Sequence, residues 1–308
     1  MNLAPLVSVV IPTYNRANLI KKSIQSVING DYKNIEVIVV DDHSTDNTYQ
    51  IVSALQAKDS RIRYIKLDKK SGAQAARNRG IIEARGEFIA FLDSDDSWES
   101  NKLAIQMEAL KSANYNPYMV IHSNCFCYDE ATGKKWIWKL PITEGKCYEL
   151  LLQRPSPVFP SILTSKIALF DIGLLDENII AYQEWDTSIR LSKICEFVHI
   201  QEPLFTYHLH SGKTISKDPI KDIQGYFQIV EKNKFVLKEK GYLCGHIRIL
   251  IHKLIEFNDF RFMDEILSYL KYCNYNQGII KNLLMFNLPA KLKRILLDVY
   301  FKTGGGRI

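Results

Sequence analysis

The sequence predicts an α/β fold, with a mostly parallel sheet carrying helices on both faces, followed by an α-helical C-terminal region. Short β-branched runs alternate with amphipathic stretches over the first hundred residues. Several of those runs lack polar alternation, as expected of strands covered on both faces. Beyond Pro219 strand signals nearly vanish and helical spacing takes over. The 308 residues are 46% hydrophobic and 24% charged, which excludes a disordered chain, a collagen-like repeat and a small disulfide scaffold.

Residues 7–11 (VSVVI) form a run halted at Pro12, and 17–28 read as a helix with Leu19, Ile20, Ile24, Val27 and Ile28 on one face. Residues 35–40 (IEVIVV) read as a doubly covered strand. Helix follows at 46–55, extended chain at 62–67, helix at 73–84, and a further buried strand at 87–92 (EFIAFL). The segment 118–207 is more mixed. There, 119–128 alternates as a strand does, a turn at 132–135 joins a hairpin, and 167–170 and 187–194 read as helical. Residues 197–200 read as a strand before a turn at Glu202-Pro203. Helices are predicted over 223–240, 244–257, 260–270, 279–285 and 290–301. A soft boundary near residue 218 separates a domain 1–218 from a region 219–308, and Gly304–Gly306 is a low-complexity tail.

In an open parallel sheet, ligands bind beyond the carboxyl ends of the strands. Pro12-Thr13-Tyr14-Asn15-Arg16 follows the first strand, Asp41-Asp42-His43-Ser44-Thr45-Asp46 the second, and Asp93-Ser94-Asp95-Asp96 the fourth. Acids converging on one rim repel unless neutralised, and a divalent cation is the simplest neutraliser. Hard oxygen donors suit Mg²⁺ or Mn²⁺, and the soft ligands zinc prefers are missing. A turn-forming role is the competing reading of a lone D-x-D.

The ordered motifs VSVVIPTYNR, VIVVDDHSTDNT, AARNRG and FIAFLDSDD, between residue 7 and about residue 98, resemble those of the family 2 glycosyltransferases, with weaker likeness to about residue 216. The resemblance implies a GT-A fold and an inverting, metal-dependent transfer of a hexose from a UDP-sugar to a saccharide hydroxyl. It makes 1–98 the nucleotide-binding half and 99–218 the acceptor-binding half. Pro12, Thr13, Tyr14 and Arg16 are implied around the nucleotide, Asp42 (with Asp41 as rival) against a uracil N–H, and Arg77 and Asn78 toward phosphate or ribose. Asp93 and Ser94 are implied at the donor. Asp95, Asp93 and His210 are implied on Mn²⁺ or Mg²⁺, with Asp95/Asp96 the alternative pair. His208 stands where relatives carry Arg. Glu184, in Gln183-Glu184-Trp185-Asp186, takes the position of the catalytic base. Asp186 is the alternative base, or else a helix N-terminal acid. Trp185 either stacks on an acceptor sugar or packs in the core. The implied acceptor is linked to undecaprenyl diphosphate in O-antigen or capsular polysaccharide synthesis. Competing readings are a catalytically silent scaffold and a sugar nucleotidyltransferase, which would want glycine in the 12–17 loop, where there is none.

The net charge of +6 is uneven: residues 1–220 sum to −1 and residues 221–308 to +7. Residues 279–302 set Lys291, Lys293, Arg294 and Lys302 beside Leu292, Ile295, Leu296 and Val299. Such a stretch either lies in an anionic headgroup layer or packs as a helical subdomain. No nucleic-acid module is present, so no nucleic-acid partner is expected. Met1-Asn2-Leu3-Ala4-Pro5 lacks signal-peptide character, and no run approaches the ~18 apolar residues of a spanning helix. A cytoplasmic protein is expected, free or peripheral on the inner face of the cell membrane. Its six cysteines show no metal-ligand spacing and are expected as buried free thiols.

Overall fold

The computed structural model describes residues 4–210, 218–273, 275–285 and 288–302. Met1–Leu3, residues 286 and 287 of the 279–302 stretch, and Gly304–Gly306 lie outside the described residues. The chain divides into two units: Met1–Asn178 with Gln183–Gly212, and Ile179–Tyr182 with Lys213–Ile308.

The first unit runs β1 (Val7–Thr13), α1 (Ile20–Ile28), β2 (Ile35–Asp41), α2 (Thr48–Gln56), β3 (Ile62–Lys66), α3 (Ala73–Glu83), β4 (Phe88–Phe91), β5 (Ser97–Trp98) and α4 (Lys102–Ser112). It continues through β6 (Met119–Asp129), β7 (Lys135–Trp138), α5 (Tyr148–Leu151), β8 (Leu163–Ser165), α6 (Lys166–Asp171), α7 (Gln183–Leu191) and β9 (Glu196–Leu209). Among the described residues the sheet order is β3-β2-β1-β4-β8-β6-β9-β5, with β7 paired to β6. Strands β1 to β4 pair in parallel, as do β6 and β9, whereas β8 joins the two groups antiparallel. Every residue of β1, β2 and β4 is buried, which accounts for their missing alternation.

Two small features shape the edge of the sheet where the polar clusters lie. Pro12 is tolerated in a central strand because β4 pairs only with Val7–Val10, so no ladder partner is lost on that side. Gly80 lets α3 lie directly on β1, since a Cβ there would sit 2.4 Å from Val10 Cγ1. With β2 on one flank of β1 and β4 on the other, the loops after β1 and β4 diverge at the switch point of the sheet, where α/β folds bind ligands.

Three expectations require correction, and for Trp185 the core alternative holds. The helix expected at 187–194 begins at Gln183, so Gln183 and Glu184 sit in its first turn, where acids are favoured. No turn forms at Glu202-Pro203. Strand β9 runs through it, with a register shift against β6 that leaves Pro203 at the irregularity and Asn124 donating to Gln201 O at 2.6 Å. Trp185 is fully buried and donates to Leu151 O, so it stacks on no acceptor. Cys125, Cys127, Cys147 and Cys195 are buried free thiols, but Cys244 and Cys273 are joined in a disulfide, their Cα atoms 5.4 Å apart.

The second unit comprises α8 (Pro219–Glu239), α9 (Leu243–Phe257), α10 (Met263–Ser268), α11 (Gln277–Met285) and α12 (Ala290–Lys302). Asp218 caps α8 by accepting from the Ile220 and Lys221 amides, with Pro219 as its first helical residue. Ile247, Leu250, Ile251 and Leu254 of α9 are completely buried, as is Leu297 of α12.

Candidate active site

The loops after β1 and β2 are tied together. Asn15, at φ 51°, donates its amide to Ser44 Oγ and accepts from the Thr45 amide. The Arg16 amide donates to Thr48 Oγ1 and that of Ala17 to Asp46. Lys70 Nζ sits 3.9 Å from the centre of the half-exposed Tyr14 ring.

The two acids after β2 are engaged with the scaffold. Asp41 accepts from the Ser44 amide at 2.8 Å and from the Tyr64 hydroxyl at 2.5 Å. Asp42 accepts from the amides of Ser71 (2.6 Å) and Gly72 (2.9 Å), fixing the turn that opens α3. Gly72 needs its φ of 98° there, which glycine adopts without steric penalty. Asn78 is likewise occupied. Its amide nitrogen donates to Leu175 O and Glu177 Oε1, and its oxygen accepts from the Leu175 amide, so it staples the 175–177 turn.

The acids after β4 meet cations instead. Arg77, on α3, places Nη2 2.6 Å from Asp93 Oδ1 and Nη1 3.2 Å from Gln183 Oε1, with its guanidinium 4.2 Å from the centre of the Phe159 ring. Asp95 Oδ2 lies 3.1 Å from His210 Nε2 and 3.5 Å from Arg16 Nη2. Asp96 points inward, and its Oδ1 accepts the His208 amide. Burial, reinforced by the charges of Asp93 and Asp95, pushes its carboxyl well above the usual range. Ser94 is buried beside them.

At the start of α7, Glu184 is one residue beyond the Gln183 that touches Arg77. Burial pushes its carboxyl up, opposed by the nearby charge of Arg77. Asp186 is buried, and its ion pair with Arg190 at 2.9 Å anchors α7, because Arg190 also donates to Ile172 O and Leu174 O. His208 packs against Lys22 Nζ at 3.3 Å and Ser97 Oγ at 3.0 Å. Burial and Lys22 depress its imidazole, so Lys22 supplies the cation at this corner. Neither Lys22 nor Gln183 was singled out in the sequence as a charge or hydrogen-bond partner; both act through tertiary contacts.

Thr13 Oγ1, Gln74 Nε2, Arg77 Nε and Asp96 Oδ2 are buried polar atoms without a hydrogen-bond partner among the described residues. Buried polar atoms are rarely left unpaired. All four belong to this rim or to the helix facing it. Buried unpaired atoms also occur away from the rim, among them His122 Nδ1, Ser123 Oγ and His199 Nδ1.

A mostly parallel sheet thus carries an acidic rim at its switch point, with a half-buried carboxylate on an adjoining helix, the arrangement of an α/β ligand-binding fold. Residues 8–177 match the family model Glycosyl transferase family 2, and the chain belongs to that family. It is 31% identical over 235 residues to the putative colanic acid biosynthesis glycosyl transferase WcaA of Escherichia coli, covering 75% of this chain and 82% of that one. An uncharacterized glycosyltransferase of Rickettsia bellii is 32% identical over 249 residues, 81% of this chain; the match spans only 35% of that longer relative. The GalNAc(5)-diNAcBac-PP-undecaprenol beta-1,3-glucosyltransferase of Campylobacter jejuni is 38% identical over 132 residues, covering 42% of this chain and 41% of that one. Among solved structures, S. aureus TarS 1-349 in complex with UDP-GlcNAc superposes with a TM-score of 0.62 at 19% identity. That match covers 98% of this chain and 93% of that one, so the fold is shared.

Proposed function

We propose that the chain is an inverting, divalent-metal-dependent hexosyltransferase that takes a UDP-sugar and glycosylates a saccharide on an undecaprenyl-diphosphate-linked acceptor. The observation that carries this reading is the rim after β4. Its carboxylates are paired to side-chain cations, and unpaired polar atoms lie in and around it. Likeness to WcaA, a putative colanic acid biosynthesis enzyme, and to the C. jejuni glucosyltransferase of an undecaprenol-linked glycan supports surface-polysaccharide assembly and a lipid-linked acceptor. The TarS complexes with UDP-GlcNAc and UDP support the donor.

The rim fits Mg²⁺ or Mn²⁺. Asp95 and His210 already stand 3.1 Å apart, offering a hard oxygen and an imidazole. No group of three such ligands is assembled among the described residues. Asp93 is committed to Arg77, and Asp96 is turned inward, so Asp95 with His210 is the favoured pair. The ion would supply charge neutralisation for the departing diphosphate. Arg77 would then be shared between Asp93 and a phosphate, a planar bidentate task suited to guanidinium. Tyr14 would pack on the base. Glu184 would accept the acceptor hydroxyl proton as the bond to the sugar forms on the face opposite the diphosphate.

The partner surface of the second unit supports acceptors held in a bilayer. On α12, Leu292, Ile295, Leu296 and Val299 are 41%, 50%, 37% and 55% exposed at helical spacing, beside Lys291 and Arg294, while Leu297 and Phe301 are buried. Such a face suits an anionic headgroup layer on the inner membrane surface. No helix among the described residues is long and apolar enough to cross a membrane. The test is calorimetric titration of UDP with Mn²⁺ and then with EDTA. Binding that requires the metal is expected, and absence of binding in both conditions rejects the UDP reading.

A further inference from the structure

The four residues between Asn178 and Gln183 belong to the second unit, so the chain leaves the first unit and returns to it one residue before Glu184. Within the second unit this short segment is held at every step. Ile180 donates its amide to Gln228 Oε1 at 3.1 Å. Ala181 lies against Gly225 of α8, where a Cβ would come within 2.6 Å of the Ala181 Cβ. The Tyr182 hydroxyl donates to Asp222 Oδ1 at 2.6 Å and accepts from Lys253 Nζ at 3.0 Å, while Lys253 and Asp222 form an ion pair. The Tyr182 ring stands edge-on to that of Tyr226, 5.4 Å between centres.

Tyr182 has φ 58°, a left-handed conformation that a bulky L residue adopts only when its surroundings enforce it. That conformation turns the chain into the first residue of α7. Side-chain bonding at Tyr182 is more than a turn needs: an acid, a lysine and an aromatic ring converge on one phenol.

We propose that Tyr182, Asp222 and Lys253 are positioning residues that lock this left-handed turn and so set where the Glu184 carboxylate stands at the start of α7. The proposal rests on Glu184 as the base. The lock lies within the second unit and acts on Glu184 through the chain, two residues further on.

The test uses the full chain with UDP-sugar donor and acceptor. Tyr182→Phe and Asp222→Asn are expected to lower kcat about 10- to 100-fold, the scale of a small misplacement of a reacting group, with donor KM and UDP affinity unchanged. Lys253→Arg, which keeps the cation, should retain more kcat than Lys253→Met. Asp264→Asn, which removes the exposed Asp264–Lys281 pair in the same unit, should leave kcat as in the wild type. Wild-type kcat in both Tyr182→Phe and Asp222→Asn overturns the lock, as does a parallel fall of kcat and UDP affinity with lowered Tm. If the wild type binds UDP but transfers nothing, the base reading has failed separately. Hydrogen exchange at amides 180–186 then decides the lock: faster exchange in Tyr182→Phe supports it, and unchanged exchange rejects it.

Discussion

Two acidic strand ends stand side by side in this sheet and do opposite things. After β2, Asp41 and Asp42 accept from three backbone amides and a tyrosine hydroxyl, groups that belong to the scaffold and cannot leave. After β4, Asp93 and Asp95 face Arg77, Arg16 and His210, which are side chains rather than backbone groups. Both clusters occupy the same topological position and carry the same residue type. What separates them is whether their partners are mainly backbone amides or basic side chains. Carboxylates bonded to backbone N–H groups hold a loop in place, whereas those paired to side-chain cations hold charges together at the rim.

The sharpest way to break this contrast is Asp95→Ala. Loss of the ion's ligand is expected to lower turnover by ~10³-fold or more while Tm stays near wild type. Full activity of the wild type in EDTA would remove the metal from the account. Next comes Glu184→Gln, expected to cost about 10²- to 10⁴-fold in kcat with UDP affinity intact, checked by titration alongside steady-state rates. Because burial raises this carboxyl, and a base works only when deprotonated, wild-type kcat should fall with acidification through a value above the ordinary 4.5. An inflection at or below 4.5 would assign the proton to another group. Asp42→Asn should act on the other side of the comparison, lowering stability by about 1.5–3 kcal/mol, since hydrogen bonds to a charged acceptor are weakened. If denaturation shows no change while UDP affinity collapses, Asp42 belongs with the rim acids. The smallest effect, about 1 kcal/mol, is expected for Tyr64→Phe, which strips Asp41 of one donor; unchanged Tm would mean that donor is replaced by water.

Much of the fold was legible because its cause is local. The unalternating runs of β1, β2 and β4 announce double burial, and helices α1, α3, α9 and α12 lie within a few residues of their periodic patterns. Strand β9 was not legible through Pro203, because a bulge against β6 exempts that position from the ladder. The start of α7 was missed because the turn before it depends on Tyr182 at positive φ, an arrangement held by distant residues. The rim acids were readable from motif and strand end together. The resemblance also brought His210 to Asp95 across 115 positions, whereas the pairing of Arg77 with Asp93 across 16 was not readable. The bonds of Asn78 were not readable either, since they depend on a helical step that turns it toward Leu175 and Glu177.

Gly80 gives the site a mechanical tolerance. Arg77 lies three residues earlier on α3, hence on a neighbouring part of the same helix surface, and its guanidinium must reach over the end of the sheet to Asp93. The seating depth of the helix on Val10 therefore works as a spacer of fixed thickness between the cation and the acid. A single methyl group at position 80 would shim that joint open, so the pairing at the rim is calibrated by the one side chain that is absent.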